Sequence, residues 1–472
     1  MKNNDLSEFW SSLRLIFIHY INFLYFYPKY RGAIYVMPIF KFIVSSIIFQ
    51  LAVTSKKIFP NLYNSLKNNK KLKKSVKKLV KFDRSKIQKS NQFYLYIFKK
   101  YIDEPKIKKR TIYIDISQYK SVQIKSGIQR VVKKIIQELS KNKKYSGFNI
   151  SYFYFPQVFP NAYLAEFDIN TYKTKRYFFP KENDIIFFLD FDVNSITLNK
   201  ELIDFLIQKN IKFAAMVYDI LPYTNPRWFP VKNYKKIYLE WINIILKLNI
   251  VFTISNTVKK KIIKNFTLKK TNHIIPIKLG GDFNKSQKKK IYIKKSKEMK
   301  FLMVGTIEPR KGHSEIIKSF NILLDNCSQD VRLDIVGNLG WNYDKTLSLF
   351  NNSKYKNKKI FFHHAVNDKA LSEFYLKSDA IIIASYDEGF GLPIAEAMHK
   401  NKKVIARNID VFREVGKNKI FYFPKKIKPK QLAKFFINWI KKYGNNEVNY
   451  GKMKFTNWTD TTKKIQKELK KI

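Results

Sequence analysis

Two glutamates, Glu388 and Glu396, stand eight positions apart around the turn Gly389-Phe390-Gly391-Leu392-Pro393. The apolar run AIIIAS (380–385) precedes the turn and the helical pattern LPIAEAMHKN (392–401) follows it, so the turn joins a buried strand to a helix. Gly389 and Gly391 allow close backbone approach, and Pro393 suits a first helical turn, where its missing N–H is not needed. Such a joint presents free backbone N–H groups and the positive end of a helix, an anion site worth ~0.3 to 2 kcal/mol per charge. A carboxylate there repels phosphate unless it faces a ligand's hydroxyl groups. Glu388 before the turn and Glu396 one turn into the helix are placed to accept hydrogen bonds from two different polyols, and a nucleotide sugar, with a sugar and a ribose flanking a diphosphate, offers that combination.

A second loop carries the complementary charge. In FLMVGTIEPRKGHSEII (301–317) a strand ends at Gly305 and a helix begins near His313, with Arg310 and Lys311 between them. Two cations on a strand-to-helix loop suit a leaving diphosphate, whose negative charge grows as its bond to the sugar breaks. The loop lacks the Gly-Lys-Ser/Thr ending of a Walker motif, which argues against an NTPase.

The elements that must position these loops read as two strand–helix alternations. The first runs through strands at 111–117, 148–155, 184–190, 212–220 and 250–255, with helices at 127–139, 200–210, 231–248 and 256–266. A Lys-dominated segment, 285–300, reads as a hinge. The second has strands at 301–305, 331–337, 359–365, 380–385 and 403–407, and helices at 313–325, 343–351, 368–379 and 392–401. The expected fold class is therefore α/β: two Rossmann-like, doubly wound domains facing across a cleft, each with a mostly parallel sheet and with ligands at the carboxyl ends of facing strands. The expected boundaries are a basic, aromatic-rich helical extension over 1–100, an acceptor-side domain over 101–290, a donor-binding domain over 291–455, and a C-terminal helix over 456–472 crossing back to the first domain.

Composition bounds the partners. The 472 residues hold 91 Lys and Arg against 36 Asp and Glu, a formal net charge of +55, which favours anionic surfaces. The lysines are dispersed along every segment, and no zinc module or RNA-recognition aromatic signature accompanies them, so no nucleic-acid partner is expected. The single cysteine, Cys327, excludes an intramolecular disulfide and a cysteine-based zinc site. The apolar stretches 13–27 and 32–53 are rich in Tyr and Phe and interrupted by Arg14, His19 and Lys41, and a Lys-rich run (67–81) follows them. They read as an interfacial anchor on an anionic membrane, with a single span as the alternative and a plain helical appendage as the third reading.

The motifs VGTIEPRKGH and Glu388-GFGLPIA-Glu396 resemble the family 4 retaining glycosyltransferases of the GT-B fold, specifically over 301–416 and more loosely over 111–282. KSGIQRVV, MVYDILPYTNPRWFP, FTISNTVKKKI and IKLGGDF resemble the subgroup that builds bacterial O-antigen and capsular polysaccharide, often mannosyl- or rhamnosyltransferases. The resemblance implies that Arg310 and Lys311 bind donor phosphates, that Glu388 touches the donor sugar and that Glu396 holds the ribose. It further implies that backbone groups of Phe390, Gly391 and Leu392 meet sugar and phosphate, and that Gly127 lies on a first-domain loop closing over the diphosphate. Where many members have twin glycines this chain has Ser126-Gly127, and where many have His-Asp it has Tyr218-Asp219. Asp219 is the candidate for orienting donor or acceptor hydroxyls. The implied activity is metal-independent, retaining hexosyl transfer without a cofactor, from a nucleotide sugar to a lipid-linked or oligosaccharide acceptor, at the cytoplasmic face of the cell membrane; the subgroup favours GDP-mannose. Other UDP- or dTDP-sugars, and a non-catalytic basic membrane- or nucleic-acid-binding protein on the same scaffold, are the alternatives. Arg130 reads either as a phosphate or acceptor ligand or as a surface helix residue. His363 and His364, adjacent on a strand, point to opposite faces and read as structural, His313 and His399 as helix-end residues, Trp228 as a possible sugar platform and Trp241 as core.

Overall fold

The computed structural model describes residues 110–121, 127–141, 148–155, 164–178, 180–230, 233–268, 273–282, 297–443 and 456–472. The expected N-terminal extension with its apolar stretches, Ser126, and the Lys-rich segment up to residue 296 lie outside them. Among the described residues, no helix is long and apolar enough to cross a membrane.

The strands are β1 (Thr111–Asp115), β2 (Asn149–Tyr154), β3 (Leu164–Asp168), β4 (Lys173–Phe178), β5 (Ile185–Phe188), β6 (Lys212–Val217), β7 (Ile250–Thr253), β8 (Ile274–Pro276), β9 (Met299–Val304), β10 (Val331–Val336), β11 (Ile360–His363), β12 (Ala380–Ile383), β13 (Lys403–Arg407) and β14 (Phe421–Phe423). The helices are α1 (Ser117–Ser121), α2 (Gly127–Lys141), α3 (Val193–Leu198), α4 (Lys200–Gln208), α5 (Leu221–Thr224), α6 (Tyr234–Ile245), α7 (Asn256–Asn265), α8 (His313–Asn326), α9 (Asp344–Asn351), α10 (Asp368–Lys377), α11 (Leu392–His399), α12 (Asp410–Gly416), α13 (Pro429–Tyr443) and α14 (Trp458–Leu469). The chain gathers into two compact units. The smaller includes Ser151–Ile185 and Asn194–Ile211; the larger takes Ile114–Ile150, Ile186–Val193 and Lys212–Ile472.

The smaller unit holds a feature that the strand–helix alternation passes over. β2, β3 and β4 form an antiparallel meander, with Tyr152 opposite Phe167 and Leu164 opposite Phe178. The turn between β3 and β4 is set locally: the Asp168 carboxylate accepts the Asn170 N–H at 2.9 Å, an Asx turn, and Tyr172 takes a left-handed φ of 56°.

The larger unit contains two runs of parallel strands. β6, β7 and β8 pair in order, Ala214 with Ile250 and Val251 with Ile274. Ser255 starts α7 as an N-cap, its side chain accepting the Val258 N–H at 3.1 Å. The second run is a six-stranded sheet in the order β11-β10-β9-β12-β13-β14. Its first strand by sequence, β9, lies between β10 and β12, so the winding reverses there, and a doubly wound sheet opens its ligand crevice at such a switch point. Successive residues of β9 feed opposite layers: Phe301 and Met303 pack with Phe320, Phe436 and Trp439, whereas Leu302 packs with Ile381, Ile394 and Met398. A strand buried on both faces has to be apolar throughout, which is why FLMV reads as a run. Each such side chain contributes about 1.5–3 kcal/mol by leaving water.

Two anchors hold the ends of this unit. Arg407, 0% exposed, donates to Ala384 O at 2.9 Å and Lys425 O at 2.7 Å and pairs with Glu315. The C-terminal helix α14 docks on α2 and on the loop after β8: Thr459 Oγ1 donates to Glu138 at 2.7 Å, Thr461 Oγ1 to Lys278 O at 2.8 Å, and Trp458 N to Asp282 Oδ1 at 2.8 Å. A Cβ at Gly280 would lie 2.4 Å from Trp458 N, so only glycine permits this approach.

Candidate active site

The switch point brings the loop after β9 against the loop after β12. A left-handed Gly312, φ 77°, ends the short turn Pro309–Lys311 and starts α8, and a Cβ there would meet Ala384 O at 2.4 Å. Tyr386 N donates to Arg310 O at 2.8 Å, locking the two loops together through their backbones. The second loop is held from its other side as well. Ser255 Oγ donates to Gly389 O at 2.7 Å, and a Cβ on Gly389 would stand 1.9 Å from Tyr218 O. Gly391 takes φ 96° as the N-cap of α11, and Leu392 and Pro393 open the helix. Phe390 is buried. Gly389 is thus required by close packing and Gly391 by its backbone conformation.

At the centre lies a charge cluster. Lys311 Nζ pairs with Glu388 Oε1, Arg310 Nη1 lies 3.0 Å from Glu388 Oε2, and Ser385 Oγ donates to Glu388 Oε1 at 2.8 Å. Burial alone would raise the Glu388 carboxyl, but the adjacent Lys311 and Arg310 bring it down to about 2. Arg310 Nε sits 2.7 Å from Glu308 Oε1 without hydrogen-bond geometry, and both Glu308 carboxylate oxygens are buried with no hydrogen-bond partner. Burial raises the Glu308 carboxyl, opposed by Arg310 and Lys311. Asp219, just past β6, belongs to the same field: burial raises its carboxyl, Arg310 opposes that, and its Oδ1 accepts the Leu221 N–H at 2.9 Å. Two cations therefore face three carboxylates, and Arg310 stands between Glu308 and Glu388.

Gly305 lies beside the cluster, with φ 153°; a Cβ there would come 3.7 Å from Lys311 Cδ. Tyr218 turns away, buried, its hydroxyl donating to Leu189 O at 2.8 Å, so this tyrosine serves the core. Glu396 is 5% exposed on α11 and is not part of the cluster. Its Oε1 lies 2.8 Å from Arg130 Nη1 and its Oε2 accepts the Tyr375 hydroxyl at 2.7 Å. Gly127 opens α2, exposed, with no atom within 4 Å of a Cβ added there.

The remaining candidates take structural places. His363 meets Asp334 Oδ1 at 2.7 Å, His399 ends α11 beside Thr456 O at 3.1 Å, and Trp241 packs in the core against Tyr238 and Phe191. Trp228 meets Trp341 through its backbone carbonyl, which accepts the indole N–H. His313, at the first turn of α8, is 1% exposed with neither ring nitrogen hydrogen bonded, and burial brings it down to about 3.

Glu308, Ser385 and Tyr375 escaped the sequence reading. Glu308 and Ser385 sit inside the two motifs and could have been found there; Tyr375 lies on an ordinary amphipathic helix with nothing to mark it. Lys261, one of three successive lysines, reaches Asp387 at 2.5 Å, and the Glu414 carboxylate accepts the backbone N–H groups of Asn256 and Thr257 at 2.8 Å each. A buried trio also went unread: Asp115 at the end of β1 is raised well above the carboxylate range by burial and by Asp190 and Asp192.

Residues 284–453 match the family model described as glycosyl transferases group 1. The chain is 29% identical over 357 residues to the serotype-specific mannosyltransferase WbdA of Escherichia coli, covering 71% of this chain and 43% of that protein. It is 30% identical over 211 residues to the O-antigen chain mannosyltransferase RfbU of Salmonella typhimurium, covering 44% of this chain and 55% of that protein. The chain thus spans only part of the curated relatives it matches. Among solved structures, Anabaena Alr3699/HepE in complex with UDP and glucose is similar at a TM-score of 0.50 and 13% identity, over 76% of this chain and 95% of that one. Sucrose-phosphate synthase from Thermosynechococcus elongatus is similar at a TM-score of 0.50 and 12% identity, over 76% and 94%. At these identities the structural likeness speaks for the fold alone. The matched residues contain both loops of the charge cluster, so the part of the chain that is similar to the glycosyl transferases group 1 family is the part that builds the site.

Proposed function

We propose that this chain is a retaining glycosyltransferase that moves a hexose, mannose from GDP-mannose in the favoured case, from a nucleotide sugar to a lipid-linked saccharide at an anionic membrane surface. The carrying observation is the pairing of Arg310 and Lys311 with Glu388 at the switch point of the parallel sheet. The relatives' names support mannose and O-antigen assembly, and the net charge of +55 supports the anionic surface.

In this reading the donor diphosphate meets Lys311 and the Nη2 edge of Arg310, which takes part in none of the contacts described above. The two cations balance the charge that grows on the diphosphate as its bond to the anomeric carbon breaks, a role that requires no metal ion. Glu388, ionised at neutral pH, accepts hydrogen bonds from the sugar hydroxyls and repels phosphate, so it sorts the two ends of the donor. An acceptor hydroxyl forms the new bond to the anomeric carbon on the face the diphosphate leaves, and its proton passes to a leaving phosphate oxygen. Asp219 orients a donor or acceptor hydroxyl, and Glu396 holds the ribose.

The test is nucleotide release by the purified chain from a panel of GDP-, UDP- and dTDP-sugars, with and without a membrane-lipid extract, in EDTA. Release from one donor, raised by the extract, is expected. Silence of the folded protein across the panel would refute the proposal.

A further inference from the structure

Glu396 is a nearly buried carboxylate held from two helices at once. Arg130, in the first turn of α2, places Nη1 2.8 Å from Oε1 and reaches Asp368 Oδ1 at 3.6 Å through Nη2. Tyr375, on α10 and 0% exposed, donates its hydroxyl to Oε2 at 2.7 Å. The Arg130 side chain is 17% exposed and that of Glu396 6%.

A buried ion pair of this kind is weak evidence for stability, because well-packed apolar residues serve a fold as well or better. What the arrangement does secure is the orientation of the carboxylate. Without two fixed donors it would be free to rotate. A carboxylate offers about four lone-pair sites, and Arg130 and Tyr375 occupy one on each oxygen. The remaining sites are those a vicinal diol can use. Arg130 also lies three residues after Gly127, so the group that orients Glu396 belongs to the helix that Gly127 begins.

We infer that Arg130 is a positioning residue for the donor: with Tyr375 it holds Glu396 oriented to accept the ribose hydroxyls, and so ties ribose recognition to the placement of α2. The inference rests on the reading above that Glu396 meets the ribose. It assigns Arg130 neither to phosphate nor to acceptor, the two ligands its sequence position suggested.

The experiment compares wild type, Arg130→Met, Arg130→Lys and Tyr375→Phe on GDP-mannose, or on whichever donor the panel identifies, together with that donor's 2′-deoxy- and 3′-deoxyribose analogues. Thermal unfolding confirms that each variant is folded. Because ribose contacts are present in ground and transition state alike, Arg130→Met is expected to raise the donor KM ~10-fold or more with kcat within about threefold. Its preference for ribose over deoxyribose donors should collapse toward about one, and Arg130→Lys should restore part of that preference. Tyr375→Phe should shift the same ratio in the same direction, since it removes the second donor to the carboxylate. A general loosening of the fold would weaken both donors equally and leave the ratio at its wild-type value. A folded Arg130→Met enzyme that keeps the wild-type ratio overturns the inference, as does a wild-type enzyme that never discriminated. A wild type that turns over no donor instead fails the glycosyltransferase reading itself.

Discussion

Neutralising Glu388 separates the roles of the two sides of the charge cluster. The Glu388 carboxyl lies at about 2 against an ordinary 4.5, held down by Lys311 and Arg310 in spite of burial. That difference corresponds to about 3 kcal/mol favouring the ionised form. A carboxyl lowered in the folded state adds stability that is complete above the unfolded value near 4.5 and is lost as pH falls toward 2. At pH 7 the whole contribution is present, so Glu388→Gln is expected to destabilise the fold by about 3 kcal/mol, within the range for removing one partner of a buried pair. Catalytically, Glu388→Gln is expected to lower turnover by at least ~100-fold, a loss of about 2.7 kcal/mol of transition-state stabilisation. The nucleoside diphosphate should respond in the opposite sense. With the competing carboxylate gone, Lys311 and Arg310 are released to the diphosphate, so GDP affinity should hold or rise, whereas Lys311→Ala should lower both turnover and GDP affinity. Equilibrium urea unfolding, calorimetric GDP titration and initial rates at saturating donor give the three quantities. Near-native turnover in Glu388→Gln, or GDP binding that weakens as it does in Lys311→Ala, would refute the assignment of the carboxylate to the sugar side.

Gly389→Ala places a Cβ 1.9 Å from Tyr218 O; since backbone has to move, a loss of about 1–3 kcal/mol or more is expected, whereas Gly127→Ala, which meets nothing, should stay within about 0.5 kcal/mol of wild type. Paired thermal unfolding curves decide this. Arg407→Ala leaves Glu315 without its cationic partner and takes a donor from two backbone carbonyls, so it should cost about 3–5 kcal/mol in urea titration. His313 is brought down to about 3 by burial. Below its ordinary value near 6.5 the unfolded chain binds a proton that the folded chain refuses, so stability is lost on acidification. Relative to His313→Gln, wild type should lose up to about 1.4 kcal/mol per pH unit between about pH 6.5 and pH 3; parallel stability curves would contradict it.

Much of the six-stranded sheet was legible along the chain because its central strands are buried on both faces and must be largely apolar runs. AIIIAS and FLMV are such runs, observed as Ala380–Ile383 and within Met299–Val304. The meander β2–β4 was not, because cross-strand pairing depends on register with a partner and not on a local period. The motifs named Arg310, Lys311, Glu388 and Glu396 through residue type and spacing alone. Spacing, however, carries no distance: that residues 310 and 388 meet follows from strand order, which puts β9 beside β12 where the winding reverses.

Sequence by itself determined the α/β alternation, the two strand-to-helix loops and the charged residues standing on them, since each depends on neighbours a few positions away. Tertiary structure alone decided that Glu308 stands behind Arg310, that Tyr218 serves the core while Asp219 faces the cluster, and that Arg130 and Tyr375 converge on one carboxylate. Those arrangements come from burial and electrostatics among residues far apart in the chain, where a charge excluded from water must find its partner wherever the fold has placed one.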